Sequence, residues 1–111
     1  LRGVARKGAS HGPVDLVEVV RTTQRFFSTL VQKSGIRFEV ETPTEPLWVN
    51  GDSGKIQQIL VNLLSNARDA LKGRGDGKVS LLLRGDGAAC QIEVRDNGPG
   101  IPRELQRKVL N

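Results

Sequence analysis

Two groups of residues in this 111-residue chain have side chains suited to chemistry. The first lies in "DSGKIQQILVNLLSNARDALK", residues 52–72, where Gln58, Asn62, Ser65, Asn66 and Asp69 fall within an arc of roughly 100° if the segment is helical. Solvated helix faces are ordinarily Lys, Glu and Arg, because Asn and Ser offer the backbone competing hydrogen bonds. A neutral carboxamide oxygen, by contrast, can ligate a hard cation such as Mg²⁺, an ion that commonly bridges one or two protein oxygens to nucleotide phosphates and water. Taken alone, the same face also reads as an ordinary polar surface.

The second group lies in "QIEVRDNGPGIP", residues 91–102, where an alternating strand runs into Asp96-Asn97-Gly98-Pro99-Gly100. An Asp at the end of a strand presents a carboxylate fixed by the sheet, able to accept a hydrogen bond from an exocyclic amine such as adenine N6. Gly98 and Gly100 lack Cβ atoms, so the backbone is expected to take positive φ there and to let a flat base approach, with Pro99 restricting the loop between them. The pentapeptide alone reads equally as a strand-to-helix turn. The two groups in this order, with Asp96 thirty residues after Asn66, say more than either one.

Elements of regular structure must position these groups. Pro13-Val14-Asp15 reads as a helix start with Asp15 as N-cap, and Leu16, Val19, Val20, Thr23, Phe27, Leu30 and Val31 recur at helical spacing until Gly35. "IRFEVET", 36–42, alternates as a strand, and "LWVNG", 47–51, is a shorter extended piece expected to pair with it or lie beside it. Asp52 caps the amide-bearing helix, whose core stripe is Ile56, Ile59, Leu60, Leu63, Leu64, Ala67, Ala70 and Leu71. The glycine-rich "KGRGDGK" ends it, "VSLLLR" and "CQIEVRD" form two strands around Gly85-Asp86-Gly87, and "IPRELQRKVLN" reads as a further helix with Pro102 in its first turn.

Composition bounds the possibilities. With 37% hydrophobic and 26% charged residues, the chain fits one globular domain or part of one. The net charge of +5 admits an anionic partner without selecting one. One Trp, three Phe and no Tyr leave little for stacking on single-stranded nucleic acid, so no nucleic-acid partner is expected. Cys90 is the single cysteine, placed in a strand without metal-ligating companions, which suits a reduced, cytoplasmic setting. No apolar run approaches the roughly 20 residues that span a bilayer, so any membrane anchor of a parent protein is expected outside this sequence.

"DSGKIQQILVNLLSNARDAL" resembles the N box, and "VRDNGPGIP" the first glycine box, of the ATP-binding catalytic domain of bacterial sensor histidine kinases. Their superfamily also includes DNA gyrase B, the large heat-shock chaperone and the mismatch-repair ATPases. "GPVDLVEVV" and "GIRFEVETP" resemble the beginning and first strand of that domain, so the likeness spans nearly all of residues 12–111. It implies a two-layer α/β sandwich of the Bergerat type, with helices on one face of a mixed sheet and an incomplete C-terminal end. Residues 1–12 would then be the end of a dimerisation helix and a linker, and 13–111 a partial catalytic domain.

The resemblance further implies that Asn66 ligates Mg²⁺ and Asn62 lies at the phosphate end of the pocket. Asp96 would bind the adenine amine, Gly98 and Gly100 would shape the floor under the base, and Asp69 would help position ligand or water. The gyrase and chaperone branches carry a Glu one helical turn before the metal Asn, where this chain has Asn62. An amide cannot serve as a general base, so the implied chemistry is transfer of the ATP γ-phosphoryl group to a histidine rather than hydrolysis, with no catalytic residue in this chain. The implied partners are ATP with Mg²⁺, a histidine-containing dimerisation domain within a homodimeric parent, and a response regulator. His11 lacks the acidic neighbour of a phosphoacceptor and reads as a linker residue. The phosphate-binding glycines are expected beyond Asn111, so the chain alone is expected to be inactive, and the open edge of strand 90–96 to recruit a partner. A non-catalytic nucleotide-binding or protein-interaction module of the same fold is the alternative.

Overall fold

The computed structural model describes residues 11–85 and 89–98, and the backbone of 103–108. In chain order the elements are β1 (Gly12–Asp15), α1 (Leu16–Val31), β2 (Arg37–Glu41), β3 (Trp48–Gly51), α2 (Ser53–Ala70), β4 (Lys78–Gly85), β5 (Ala89–Asp96) and β6 (Arg103–Lys108). The main sheet is four-stranded and mixed, in the order β2-β4-β5-β6. β2 and β4 run parallel, which requires a crossover, and α2 lies in that connection. β4–β5 and β5–β6 are antiparallel.

Strand alternation sorts the sheet into two faces. Val79, Leu81 and Leu83 of β4 and Cys90, Ile92 and Val94 of β5 are buried in one core with the apolar stripes of both helices. The opposite face carries Ser80, Arg84, Gln91 and Arg95, together with Leu82 and Glu93, which are neighbours in register and both buried. The architecture is the expected two-layer arrangement of helices on a mixed sheet.

Helix α1 forms because its apolar residues return every three or four positions: Leu16, Val20, Thr23, Phe27 and Val31 are all buried. The Thr23 hydroxyl donates to the Val19 carbonyl at 2.8 Å, so its burial leaves no unsatisfied donor. Phe27 meets Phe38 of β2 edge to face, with ring centroids 4.9 Å apart. Leu30, expected in this stripe, is 41% exposed because it falls on the outer side of the last turn. In α2 the stripe narrows to Ile56, Leu60, Leu64, Ala67 and Leu71. Leu63 and Ile59 are only part-buried, and Ala70 is exposed at the helix end.

Three expectations are corrected. "LWVNG" does not pair with "IRFEVET": β3 joins β1 in a separate two-stranded antiparallel sheet, with Val14 opposite Val49. Residues 12–15, read as linker and helix start, thus form a strand, although Asp15 still caps α1. Its Oδ1 accepts from Val17 N–H and from Leu47 N–H, each at 3.0 Å, so the cap residue is also the tie to the chain before β3. Arg103–Lys108, read as helix, is a strand paired to β5 with Leu105 opposite Ile92. The backbone groups along β5 require partners, and a ladder with β6 satisfies them at the expense of the local helix propensity of this segment. The edge of strand 90–96 is therefore covered by the chain itself rather than open to a partner.

Candidate functional site: a ridge from helix α2 to the end of strand β5

Asp52 starts α2 by accepting hydrogen bonds at Oδ1 from Gly54 N–H at 3.0 Å and Lys55 N–H at 3.3 Å. From there Asn62, Asn66 and Ala70 recur at four-residue intervals and so form one row along the helix. Burial of Leu60, Leu64 and Ala67 fixes the rotation of the helix and leaves Asn62 and Asn66 exposed. Among the described residues neither amide side chain has a hydrogen-bond partner, so both carboxamide oxygens are available to an incoming ligand. Asp69 is 63% exposed and lies 3.9 Å from Arg68 Nε, a solvent-facing pair that gives its carboxylate no fixed direction.

The row ends where β5 ends. A Cβ placed on Gly98 would stand 3.0 Å from Asp96 Oδ1, 3.1 Å from Leu71 Cδ2 and 3.4 Å from the Ala70 carbonyl oxygen. Gly98 is therefore pressed against the last turn of α2, and any side chain there would fill the gap. Its φ is not positive, in contrast to Gly35 and Gly73, so close approach and not left-handed backbone is what calls for glycine at this position. Gly98 N–H donates to Asp96 Oδ1 at 2.8 Å, which holds the carboxylate in a turn and leaves Oδ2 without a partner among the described residues. Gly100, the other glycine expected to floor the pocket, lies outside the described residues.

Asp96 and Gly98 are thus brought together with the C-terminal end of α2. By helix geometry Asn66 lies about 6 Å, and Asn62 about 12 Å, along the axis from Ala70. A cation at Asn66 would find few other protein ligands, since the described residues hold no cluster of three or more His, Cys, Asp or Glu. That donor set fits a Mg²⁺ ion that takes most of its oxygens from phosphates and water. A concavity of about 480 Å³, lined by Glu39, Glu41, Ser80 and Leu82, lies over β2 and β4 and includes none of the ridge residues. Glu93 is buried with Arg95 Nε donating to it at 2.6 Å, on the sheet face opposite the helices, and is not part of the ridge.

One contributor was not legible beforehand. Asn97 appears in sequence as a turn former, yet its amide bonds the backbone of residues 76 and 78, a long-range pairing that no local pattern announces.

The fold and the ridge define a two-layer α/β domain, a mixed sheet backed by two helices, with carboxamides and a glycine-seated carboxylate along one side. Residues 51–111 match the family described as histidine kinase-, DNA gyrase B- and HSP90-like ATPases, and the chain belongs to that family. It is 32% identical to the phosphoglycerate transport system sensor protein PgtB of Salmonella typhimurium, over 99% of this chain and 16% of that protein. It is 28% identical to the C4-dicarboxylate transport sensor protein DctB of Rhizobium meliloti, over 99% of this chain and 18% of that protein. The chain thus spans less than a fifth of the length of either relative. Among solved structures, the nucleotide-free catalytic domain of histidine kinase ThkA superposes with a TM-score of 0.73 at 30% identity, covering 83% of this chain and 62% of that one. ThkA in complex with the response regulator TrrA superposes with a TM-score of 0.71 at 31% identity, covering 83% and 27%. No helix among the described residues is long and apolar enough to cross a membrane.

Proposed function

We propose that this chain is the nucleotide-binding part of a sensor histidine kinase in a two-component system. The observation that carries the reading is the seating of Gly98 against Ala70 and Leu71, which joins the Asp96 carboxylate to the row of Asn66 and Asn62 in one ridge. Asp96 Oδ2 accepts the exocyclic amine of adenine, while the bond from Gly98 N–H to Oδ1 fixes the carboxylate. The backbone at Gly98 lies under the base, and the sequence assigns Gly100 to the same role. Asn66 offers its carboxamide oxygen to Mg²⁺, Asn62 lies at the phosphate end and Asp69 orients ligand or water. Mg²⁺ supplies neutralisation of the phosphate charge.

With an amide at residue 62, the position one turn before Asn66 offers no base to activate water. The reaction suited to it breaks the bond between the β- and γ-phosphates of ATP and forms a phosphorus–nitrogen bond to a histidine. That histidine belongs to a dimerisation domain of the same, homodimeric protein, and a response regulator then takes the phosphoryl group. The relatives' names as sensor proteins and the ThkA complex support this assignment. A cytoplasmic placement follows from the same chemistry, since ATP and the regulator are found there.

Titration of the full-length protein with ATP, with and without Mg²⁺, tests the assignment. Asp96→Asn is expected to weaken ATP binding about tenfold, equivalent to about 1.4 kcal/mol. Asn66→Ala is expected to abolish the gain in affinity that Mg²⁺ confers. Magnesium-dependent ATP binding that survives both substitutions at wild-type strength sinks the proposal.

A further inference from the structure

We propose that Asn97 is a positioning residue for the nucleotide, acting through Asp96 and Gly98 without touching the ligand. The inference rests on the nucleotide-binding reading above. Asn97 lies between the two residues assigned to the base, at the apex of the turn closed by Gly98 N–H and Asp96 Oδ1. Its side chain faces the other way. Oδ1 accepts from Lys78 N–H at 2.9 Å, Nδ2 donates to the Asp76 carbonyl at 2.8 Å, and the Asn97 N–H donates to the Lys78 carbonyl at 3.2 Å. The orientation of the amide is set by its partners, an N–H on one side and a C=O on the other.

The last Cα pair in the β4–β5 ladder is Val79 with Asp96, so Asn97 extends the pairing by one residue and does so largely with its side chain. A carboxamide accepts at one atom and donates from another, which this pairing uses and which a carboxylate, an acceptor only, cannot reproduce. The segment it grips is itself anchored. Arg37 N–H donates to the Gly77 carbonyl at 2.9 Å, and Gly77 is buried so close to Leu71 that a Cβ would stand 3.2 Å from the Leu71 Cβ. Leu71 is also the residue on which Gly98 rests. The glycine-rich stretch 73–78 is thus an abutment behind the base-binding turn: Asn97 ties the turn to it from behind while Leu71 supports Gly98 from the side. Without the side-chain tie only the Asn97 N–H bond to the Lys78 carbonyl holds the turn to this segment, and the carboxylate loses its aim.

The test compares Asn97→Ala, Asn97→Asp and Asp96→Asn in the full-length protein, with Arg74→Ala as control, since the Arg74 side chain bonds the Asp76 side chain in the same stretch and does not bond Asn97. For Asn97→Ala we expect KM for ATP to rise about tenfold, the preference for ATP over GTP to fall at least about threefold, and kcat at saturating ATP to stay within about twofold. Asn97→Asp, which keeps the acceptor for Lys78 but sets an oxygen against the Asp76 carbonyl, should behave alike, and its readouts decide the matter if the alanine variant does not fold. Arg74→Ala should match the wild type. A fall in melting temperature with KM and base preference within about twofold of wild type would overturn the proposal and leave Asn97 a purely structural residue. If Asp96→Asn also leaves ATP binding unchanged, the nucleotide assignment itself fails; if only the Asn97 variants are silent, the positioning role alone fails.

Discussion

The two ends of the ridge are built differently. At the end of β5, Asp96, Asn97 and Gly98 are held by their own hydrogen bonds and by contact with Leu71, whereas Asn62 and Asn66 extend from α2 with no side-chain partner among the described residues. The first region is shaped before any ligand arrives; the second offers ligands whose geometry is completed by what binds. Under the proposed assignment, preorganisation at the base end lowers the ordering cost of binding and favours selectivity, because a rigid acceptor penalises a base that presents no donor. Under the same proposal, loose amides at the phosphate end suit an ion with water and phosphate in its shell, which needs one protein oxygen more than it needs a cage.

The largest effect expected from this contrast is at Gly98. Valine there must displace the Asp96 carboxylate, Leu71 or the Ala70 carbonyl, all of which a single Cβ would already approach within 3.4 Å. We expect Gly98→Val to cost about 3 kcal/mol of stability, at the upper end for overpacking, and to weaken ATP binding on the order of a hundredfold. Chemical denaturation and nucleotide titration check the two quantities. A variant that melts and binds like the wild type would show that the base end is as pliable as the amide end, and the contrast would disappear.

What could be read in advance follows the same division. Helices α1 and α2, strands β2 to β5 and Asp15 and Asp52 as caps are local properties, set by spacing and by short-range hydrogen bonds, and they stand where the sequence pattern places them. The row of Asn62 and Asn66 is equally local, because four-residue spacing on a helix is a geometric certainty once the helix exists. Pairing between distant strands is not local. β3 was assigned to β2 because they are neighbours in sequence, yet Val49 finds Val14, and the bonds of Asp15 to Val17 and Leu47 hold that alternative in place. Residues 103–108 have the composition of a helix and are drawn into the sheet by the unsatisfied backbone of β5. At Gly98 the expected positive φ is absent and the last turn of α2 takes up the space: a sequence shows that a Cβ is missing but not whether the gap serves φ or a neighbour. The partners of Asn97, 19 and 21 residues away, could not have been guessed from its type.

A smaller effect is expected at the start of the helix that carries the amides. Asp52→Ala removes the acceptor for Gly54 and Lys55 N–H, and the loss of such a cap costs about 1 kcal/mol. Asp52 stands ten residues before Asn62, so fraying of the first turn should leave the ridge intact. We therefore expect thermal unfolding at a lower temperature with ATP affinity within about twofold of wild type. Weakening of ATP binding beyond the change in stability would mean that the orientation of the amide row depends on the whole length of α2 and not on its buried stripe.

The smallest effect on stability, and the sharpest separation of the two regions, is expected from the double change Asn62→Ala, Asn66→Ala. Both side chains are exposed and lack partners among the described residues, and alanine is the better helix former, so unfolding free energy should stay within about 0.5 kcal/mol of wild type or rise slightly. The same protein should lose the dependence of ATP binding on Mg²⁺ while keeping its preference for adenine over guanine, because Asp96 and its bond to Gly98 are untouched. Denaturant melts together with titrations of ATP and GTP, each with and without Mg²⁺, read both outcomes from one sample. Loss of base preference in this variant would show that the amide row and the glycine-seated carboxylate act as one unit, since a change confined to the loose end would then have disturbed the rigid one.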